Sequence, residues 1–303
     1  MNQDFYQELL NIISKEQIQI EEPMRNHTTF RVGGPAEFFV QPKTAEEVQG
    51  LVGLCKEREI PYYIVGNGSN LLVSDQGYEG VIIQTYKQMN RVEVTENEIH
   101  AQAGALLSMI ANRAMEAELT GFEFAAGIPG TLGGACAMNA GAYGGEMKDV
   151  LETVTVLTRD GDVKTLKKDE LELGYRTSVI AKKDYIVLSA VIRLENGKKE
   201  EIKAVMDDLK EKRITKQPLE YPSAGSTFKR PEGYFAGKLI QDAGLRGFQV
   251  GGAQVSEKHC GFVVNKDQAT AADVMNLMNQ VSDKVYEMSG VRLEPEVKRL
   301  GVF

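Results

Sequence analysis

Eight glycines crowd residues 121–145 (GFEFAAGIPGTLGGACAMNAGAYGG): Gly121, Gly127, Gly130, Gly133, Gly134, Gly141, Gly144 and Gly145. Glycine gives up more conformational freedom on folding than any other residue and buries no side chain, so such a run needs stabilisation from elsewhere. A large, flat, phosphate-bearing ligand supplies it, because residues lacking a Cβ let consecutive backbone N–H groups approach closely. A second segment, Gly66-Asn67-Gly68-Ser69-Asn70, follows the apolar run Pro61 to Val65 and offers the same chemistry. It falls short of the dinucleotide fingerprint GxGxxG, since Leu71 stands where the third glycine belongs. Gly233 to Leu239 (GYFAGKL) likewise misses the ATPase phosphate loop, with Leu239 in place of Ser or Thr. The two glycine-rich segments together predict one extended cofactor, such as FAD, lying between two subdomains.

Other chemistries lose ground. Cys55, Cys136 and Cys260 are far apart, without CxxC or histidine-spaced partners, which argues against structural zinc and a disulfide framework. His27, His100 and His259 are isolated, and no GxSxG elbow exists to complete a hydrolase triad. The 303 residues carry 43 acids against 35 bases, a net charge of −8 spread along the chain. That argues against a nucleic-acid surface, while a local basic pocket for a small anion stays open. No apolar run approaches the roughly 20 residues of a membrane span. The N-terminus sets acids inside its apolar pattern and lacks a basic leader, so the expectation is a cytoplasmic protein without membrane contact.

The length calls for two or three domains. The pattern divides into residues 1–84 and 85–197, two FAD-binding α+β subdomains, and 198–303, a substrate-binding α+β domain whose last residues have the option of returning to the FAD domain. An opening helix carries Phe5, Leu9, Ile12 and Ile13 at helical spacing. Thr44 with Glu47 forms a capping box for a helix striped by Val48, Leu51, Leu54 and Cys55. Residues 91–95 and 98–103 read as paired strands, 105–119 as a helix, and Asp160-Gly161 as a type I′ hairpin turn. A charged helix over 199–213 and a long helix opened by Thr270 and Asp273, ending near Gly290, complete the pattern.

Five motifs, VGNGSN (65–70), AGIPGTLGGACAMNAGAYGG (126–145), GYRTS (174–178), PSAGSTFKRP (222–231) and LEPEV (293–297), occur in an order that resembles the UDP-N-acetylenolpyruvoylglucosamine reductase (MurB) family. The stretch between Arg176 and Tyr221 is short, without a tyrosine-bearing insertion, so the likeness is to the shorter, second subclass. The resemblance implies a flavoprotein fold of the vanillyl-alcohol-oxidase (PCMH) type, noncovalent FAD and NADPH as electron donor. It places the cofactor against Gly66, Asn67, Gly68, Ser69 and Asn70 in one loop. In the other it uses Gly127, Pro129, Gly130, Thr131, Gly133, Gly134, Asn139, Gly141 and Ala142. The asparagine and serine side chains there either bond phosphate and ring edges or stabilise the turns.

The implied reaction reduces an enolpyruvyl ether on UDP-N-acetylglucosamine to the lactyl ether of UDP-N-acetylmuramate, with small-molecule partners only. Negative charge develops at C2 and the carboxylate, so the family likeness asks for a cation, an acid and a proton donor. Arg176, Glu296 and Ser226 fill those roles in that order. Lys229, Arg230 and Lys238 are candidates for the diphosphate, and Tyr221 either joins them or packs. Two rivals remain, a flavin oxidase of the same fold and a flavin-holding module without turnover.

Overall fold

The computed structural model describes residues 3–303. The chain divides into two compact units. The first comprises the segment ending at Gln19 with Phe39–Asn67 and Gly80–Arg213; the second comprises Ile20–Phe38, Gly68–Glu79 and Ile214–Phe303.

In the first unit, helix α1 (Gln3–Leu9) buries Phe5 and Leu9. Ile12 and Ile13 lie in the turn beyond it, where the β-branched pair does not extend the helix, and Ile13 is buried all the same. Helix α2 (Ala45–Glu57) starts at Thr44, whose hydroxyl accepts the Glu47 N–H. The expected capping box is only half made. The Glu47 carboxylate takes the Lys43 N–H and the Gln17 amide, and Val52 rather than Leu54 completes the buried stripe. The strand Tyr62–Val65 pairs in parallel with Tyr78–Gln84, Tyr62 opposite Val81, and runs directly into Gly66.

A five-stranded antiparallel sheet follows, in the order Val163–Lys167, Leu151–Leu157, Ile186–Arg193, Glu98–Gln102, Val92–Thr95. Helices α3 (Leu107–Glu116) and α4 (Leu132–Met138) bury Leu107, Ile110, Leu132, Ala135 and Cys136 in the core with the strand residues Ile99, Val154 and Ile192. Glu118, in the left-handed region at φ 56°, ends α3 short of the predicted boundary at 119, and Leu119 joins a short strand instead. The Asp160-Gly161 hairpin is also not type I′. Only Gly161 has positive φ (95°); its N–H reaches the Thr158 carbonyl, and Thr158 N–H the Asp162 carbonyl, a three-residue loop. Short helices α5 (Met147–Val150) and α6 (Val179–Lys182) precede the charged α7 (Lys199–Lys216), of which only Ile202 is buried.

The second unit holds a four-stranded antiparallel sheet, Ser223–Ser226, Phe262–Asn265, Ala253–Val255, Gln249–Val250, with helices α8 (Ala236–Asp242) and α9 (Ala271–Ser289). In α9 the buried stripe is Val274, Leu277, Met278, Val281 and Val285, each contributing about 1.5–3 kcal/mol relative to exposure. Its capping box, Thr270 with Asp273, is complete, and Gly290 closes it at φ 70°. Asp75 adds a second carboxylate there, accepting the Ala271 and Ala272 N–H groups at 2.8 and 2.9 Å. Leu71–Val73 pairs in parallel with Lys298–Leu300.

Candidate active site

Much of the glycine demand is met within the protein. A Cβ on Gly66 would stand 2.1 Å from the Thr131 hydroxyl, and one on Gly68 (φ 61°) 2.0 Å from the His27 carbonyl. The Asn67 amide donates to the Pro129 carbonyl at 2.7 Å, and the Gln84 amide to that of Gly66. Ser69 is half-buried. Asn70 donates to the Glu296 carbonyl at 3.2 Å and accepts the Lys298 N–H at 3.0 Å. The first turn of α4 does not offer a row of free donors: Leu132 and Gly133 give their N–H groups to the Ala105 and Ala103 carbonyls at 2.9 and 2.8 Å. The Gly130 carbonyl takes the Leu107 N–H. By contrast, nothing lies within 4 Å of a Cβ on Gly134.

Gly134 borders a cleft of about 410 Å³ in the first unit, walled by Tyr62, Tyr63, Gly66, Thr131, Ala137 and Tyr185. Aromatic and small residues around a few polar groups suit a flat dinucleotide moiety, and the volume lies in the range of ligand pockets, roughly 300–1,000 Å³. Further along the segment, a Cβ on Gly127 would meet the Arg213 guanidinium at 2.6 Å, and one on Gly145 the Phe124 ring at 2.6 Å. Gly141 and Ala142 pair with Glu146 and Gly145 in a small hairpin. Arg213, over the Tyr143 ring at 5.8 Å, is a desolvated cation with its pKa lowered by burial. Asn139 caps α4 in the left-handed region (φ 46°, ψ 59°), and its amide is committed internally to Glu146, Gly174 and Lys148.

Arg176 is half-buried on a tight turn, Gly174 to Thr177, and has φ 53°. Its guanidinium lies 5.3 Å from the Tyr175 ring centroid. In the second unit Ser226 and Glu296 are neighbours through their backbones: the Glu296 N–H donates to the Thr227 carbonyl at 2.9 Å and Phe228 bridges Pro295. Ser223 faces Val264 and Ser226 faces Phe262, a register shift that places an extra residue in the strand, with Gly225 at φ 75°. Such a bulge re-aims the side chain that follows it. Ser226 is exposed and Glu296 half-buried.

The predicted substrate cations already have partners. Lys229 is paired with Glu294 and Lys238 with Asp242, while Arg230 lies over Phe235 at 4.0 Å. Exposed pairs of this kind are worth about 0–1 kcal/mol, so neither lysine is held strongly by its carboxylate. Lys266 is a cation the sequence reading missed. It donates to the Tyr221 hydroxyl at 2.5 Å and lies 4.1 Å from the ring centroid.

Residues 36–167 match the family described as FAD binding domain, and residues 217–300 the one described as UDP-N-acetylenolpyruvoylglucosamine reductase, C-terminal domain. A UDP-N-acetylenolpyruvoylglucosamine reductase of Clostridioides difficile (strain 630) is 55% identical over 300 residues, covering 99% of each chain. The chain belongs to the UDP-N-acetylenolpyruvoylglucosamine reductase family. The crystal structure of a Thermus caldophilus reductase of this family shares 36% identity and superposes with a TM-score of 0.80, over 94% of this chain and 100% of that one. p-Cresol methylhydroxylase, 17% identical with a TM-score of 0.50 over 64% of this chain and 43% of its own, shows a likeness of fold alone. The α+β fold of this reductase family member is thus the FAD-binding fold of the vanillyl-alcohol-oxidase type. No helix among the described residues is long and apolar enough to cross a membrane.

The thiol in the glycine segment is poorly suited to tether flavin. Cys136 is 0% exposed and burial pushes its pKa up to about 12, so the nucleophilic thiolate is scarce. Acid precipitation of the purified yellow protein is therefore expected to release flavin absorbance into the supernatant. Flavin kept in the pellet would mean a covalent bond.

Proposed function

We propose that the chain catalyses the reaction its family is named for, the NADPH-dependent reduction of UDP-N-acetylglucosamine enolpyruvate to UDP-N-acetylmuramate, a cytoplasmic step in building peptidoglycan precursors. The full-length likeness to reductases of this family carries the reading. FAD, when bound, would supply the hydride transfer between NADPH and the enolpyruvyl double bond. Residues 1–84 and 85–197 serve as its two subdomains and 198–303 as the substrate-binding domain, to which Ile20–Phe38 and Gly68–Glu79 add by packing in the second unit. Gly134 and the walls of its cleft hold part of the cofactor.

Three side chains handle the charge that follows hydride delivery. Arg176 grips the substrate carboxylate with a planar two-point guanidinium fork. Glu296, its backbone held by Thr227 and Asn70, polarises the enolate. Ser226, turned out by the bulge at Gly225, supplies the C2 proton. Lys229, Arg230 and Lys238, with Tyr221, receive the diphosphate and uridine.

The test is NADPH consumption by the purified holoenzyme with and without the enolpyruvyl UDP-sugar, in air and under nitrogen. Oxidation that needs the UDP-sugar and ignores oxygen is expected. Oxygen-dependent turnover of an alcohol or sugar would favour the oxidase reading, and no turnover with any substrate would favour a flavin-holding module.

A further inference from the structure

The Arg176 turn is fastened at both ends to the last turn of α4. At its first residue, the Gly174 carbonyl accepts two donors, the Thr177 N–H at 3.3 Å, which closes the turn, and the Asn139 amide at 3.0 Å. Just after the turn, the Ser178 hydroxyl donates to the Ala137 carbonyl at 2.6 Å and accepts the Ala181 N–H. Ser178 is 0% exposed and Asn139 1%. The orientation of the Asn139 amide is fixed on every side: its nitrogen also donates to Glu146 Oε2 at 2.9 Å, and its oxygen accepts the Lys148 N–H at 2.9 Å.

These bonds oppose a backbone preference. Arg176 sits at φ 53°, a region unfavourable for an L residue with a Cβ, and such geometry persists only where its surroundings impose it. The Glu146 carboxylate is held below its usual range by Lys148 first and Asn139 next, with the Arg176 charge contributing. It therefore stays an acceptor for Asn139 and a counter-charge for the turn. The helix that fastens the turn is also the one whose Gly134 and Ala137 line the cleft.

We propose that Asn139, Glu146 and Ser178 form a clamp that positions Arg176, and that Asn139 acts through this clamp rather than by touching the cofactor. The inference rests on Arg176 being the cation that grips the substrate carboxylate. If it holds, loosening the clamp leaves the cofactor in place and misaligns the guanidinium.

The informative variant is Asn139→Gly in the full-length holoenzyme, because glycine accepts the left-handed backbone and only the amide is lost. It is expected to slow flavin reoxidation by the enolpyruvyl UDP-sugar on the order of 10- to 100-fold, the scale of a small misplacement of a reacting group, with flavin content and reduction by NADPH unchanged. Asn139→Asp should be slower still, since it sets a carboxylate against Glu146 and the Gly174 carbonyl. In an Arg176→Lys background, Asn139→Gly should cost under about threefold, the non-additivity of two changes acting through one group. Equal fold-losses in both backgrounds, or loss of flavin from Asn139→Gly, would overturn the clamp while leaving the role of Arg176 intact. Near-native turnover of Arg176→Lys alone would overturn that role instead. If Asn139→Gly does not fold, Glu146→Gln, which keeps the size and removes the charge, takes its place in the same two-background comparison.

Discussion

Replacing Ser226 by alanine is expected to leave flavin reduction by NADPH near its native rate while slowing reoxidation by the enolpyruvyl substrate by a factor on the order of 10² or more, the usual span of a general acid. The asymmetry follows from where the proton goes. Only the second half-reaction places a proton on C2, and the hydroxyl has no part in taking a hydride from NADPH. The bulge at Gly225 leaves Ser226 exposed beside the segment that carries Glu296, and alanine keeps that backbone. Stopped-flow measurement of both half-reactions decides the matter. Equal slowing of the two would make Ser226 a structural residue of the strand.

Arg176→Lys is expected to bind FAD normally and to lose about 3 kcal/mol of transition-state stabilisation, roughly 10² in kcat. Lysine preserves the charge but offers a single point where guanidinium offers two coplanar donors. Glu296→Gln should likewise lower kcat more than it raises KM, the pattern its proposed role requires of an interaction that strengthens as charge develops. Steady-state kinetics at matched flavin content provide the check. Turnover close to native in both variants would reduce the two residues to ordinary surface charges.

Local chemistry made part of this molecule readable. The Thr270–Asp273 box, the helical stripe after it and Gly290 all lie within one helix, and each is found where the spacing puts it. The glycine segments were equally plain, but their cause was not. Gly66, Gly68, Gly127 and Gly145 are needed because Thr131, His27, Arg213 and Phe124 come too close for a Cβ, contacts made by residues distant in sequence. The bonds of the Asn139 amide were equally illegible, since its partners Glu146 and Gly174 are fixed by the fold and not by spacing. Arg213 was hidden inside a helix whose other faces are charged and exposed, so nothing in the pattern set it apart. The backbone bond joining Thr227 to Glu296 is a tertiary pairing, and only the family motifs hinted that the two segments belong together.

The second unit also has a bearing on how the chain is made. Its core includes Phe30 and Leu72, both 0% exposed, alongside Val274, Leu277 and Val281 of α9. A ribosome extends a chain from its N-terminus, so Phe30 and Leu72 emerge long before the residues that cover them. The strand Leu71–Val73 has to wait for Lys298–Leu300, and Asp75 for the N–H groups of Ala271 and Ala272. The first unit, by contrast, has all its strands once Asn196 has been translated. During synthesis the molecule therefore carries bare apolar side chains on its early segments until almost the last residues are added, and any chaperone that shields nascent chains meets it in that state.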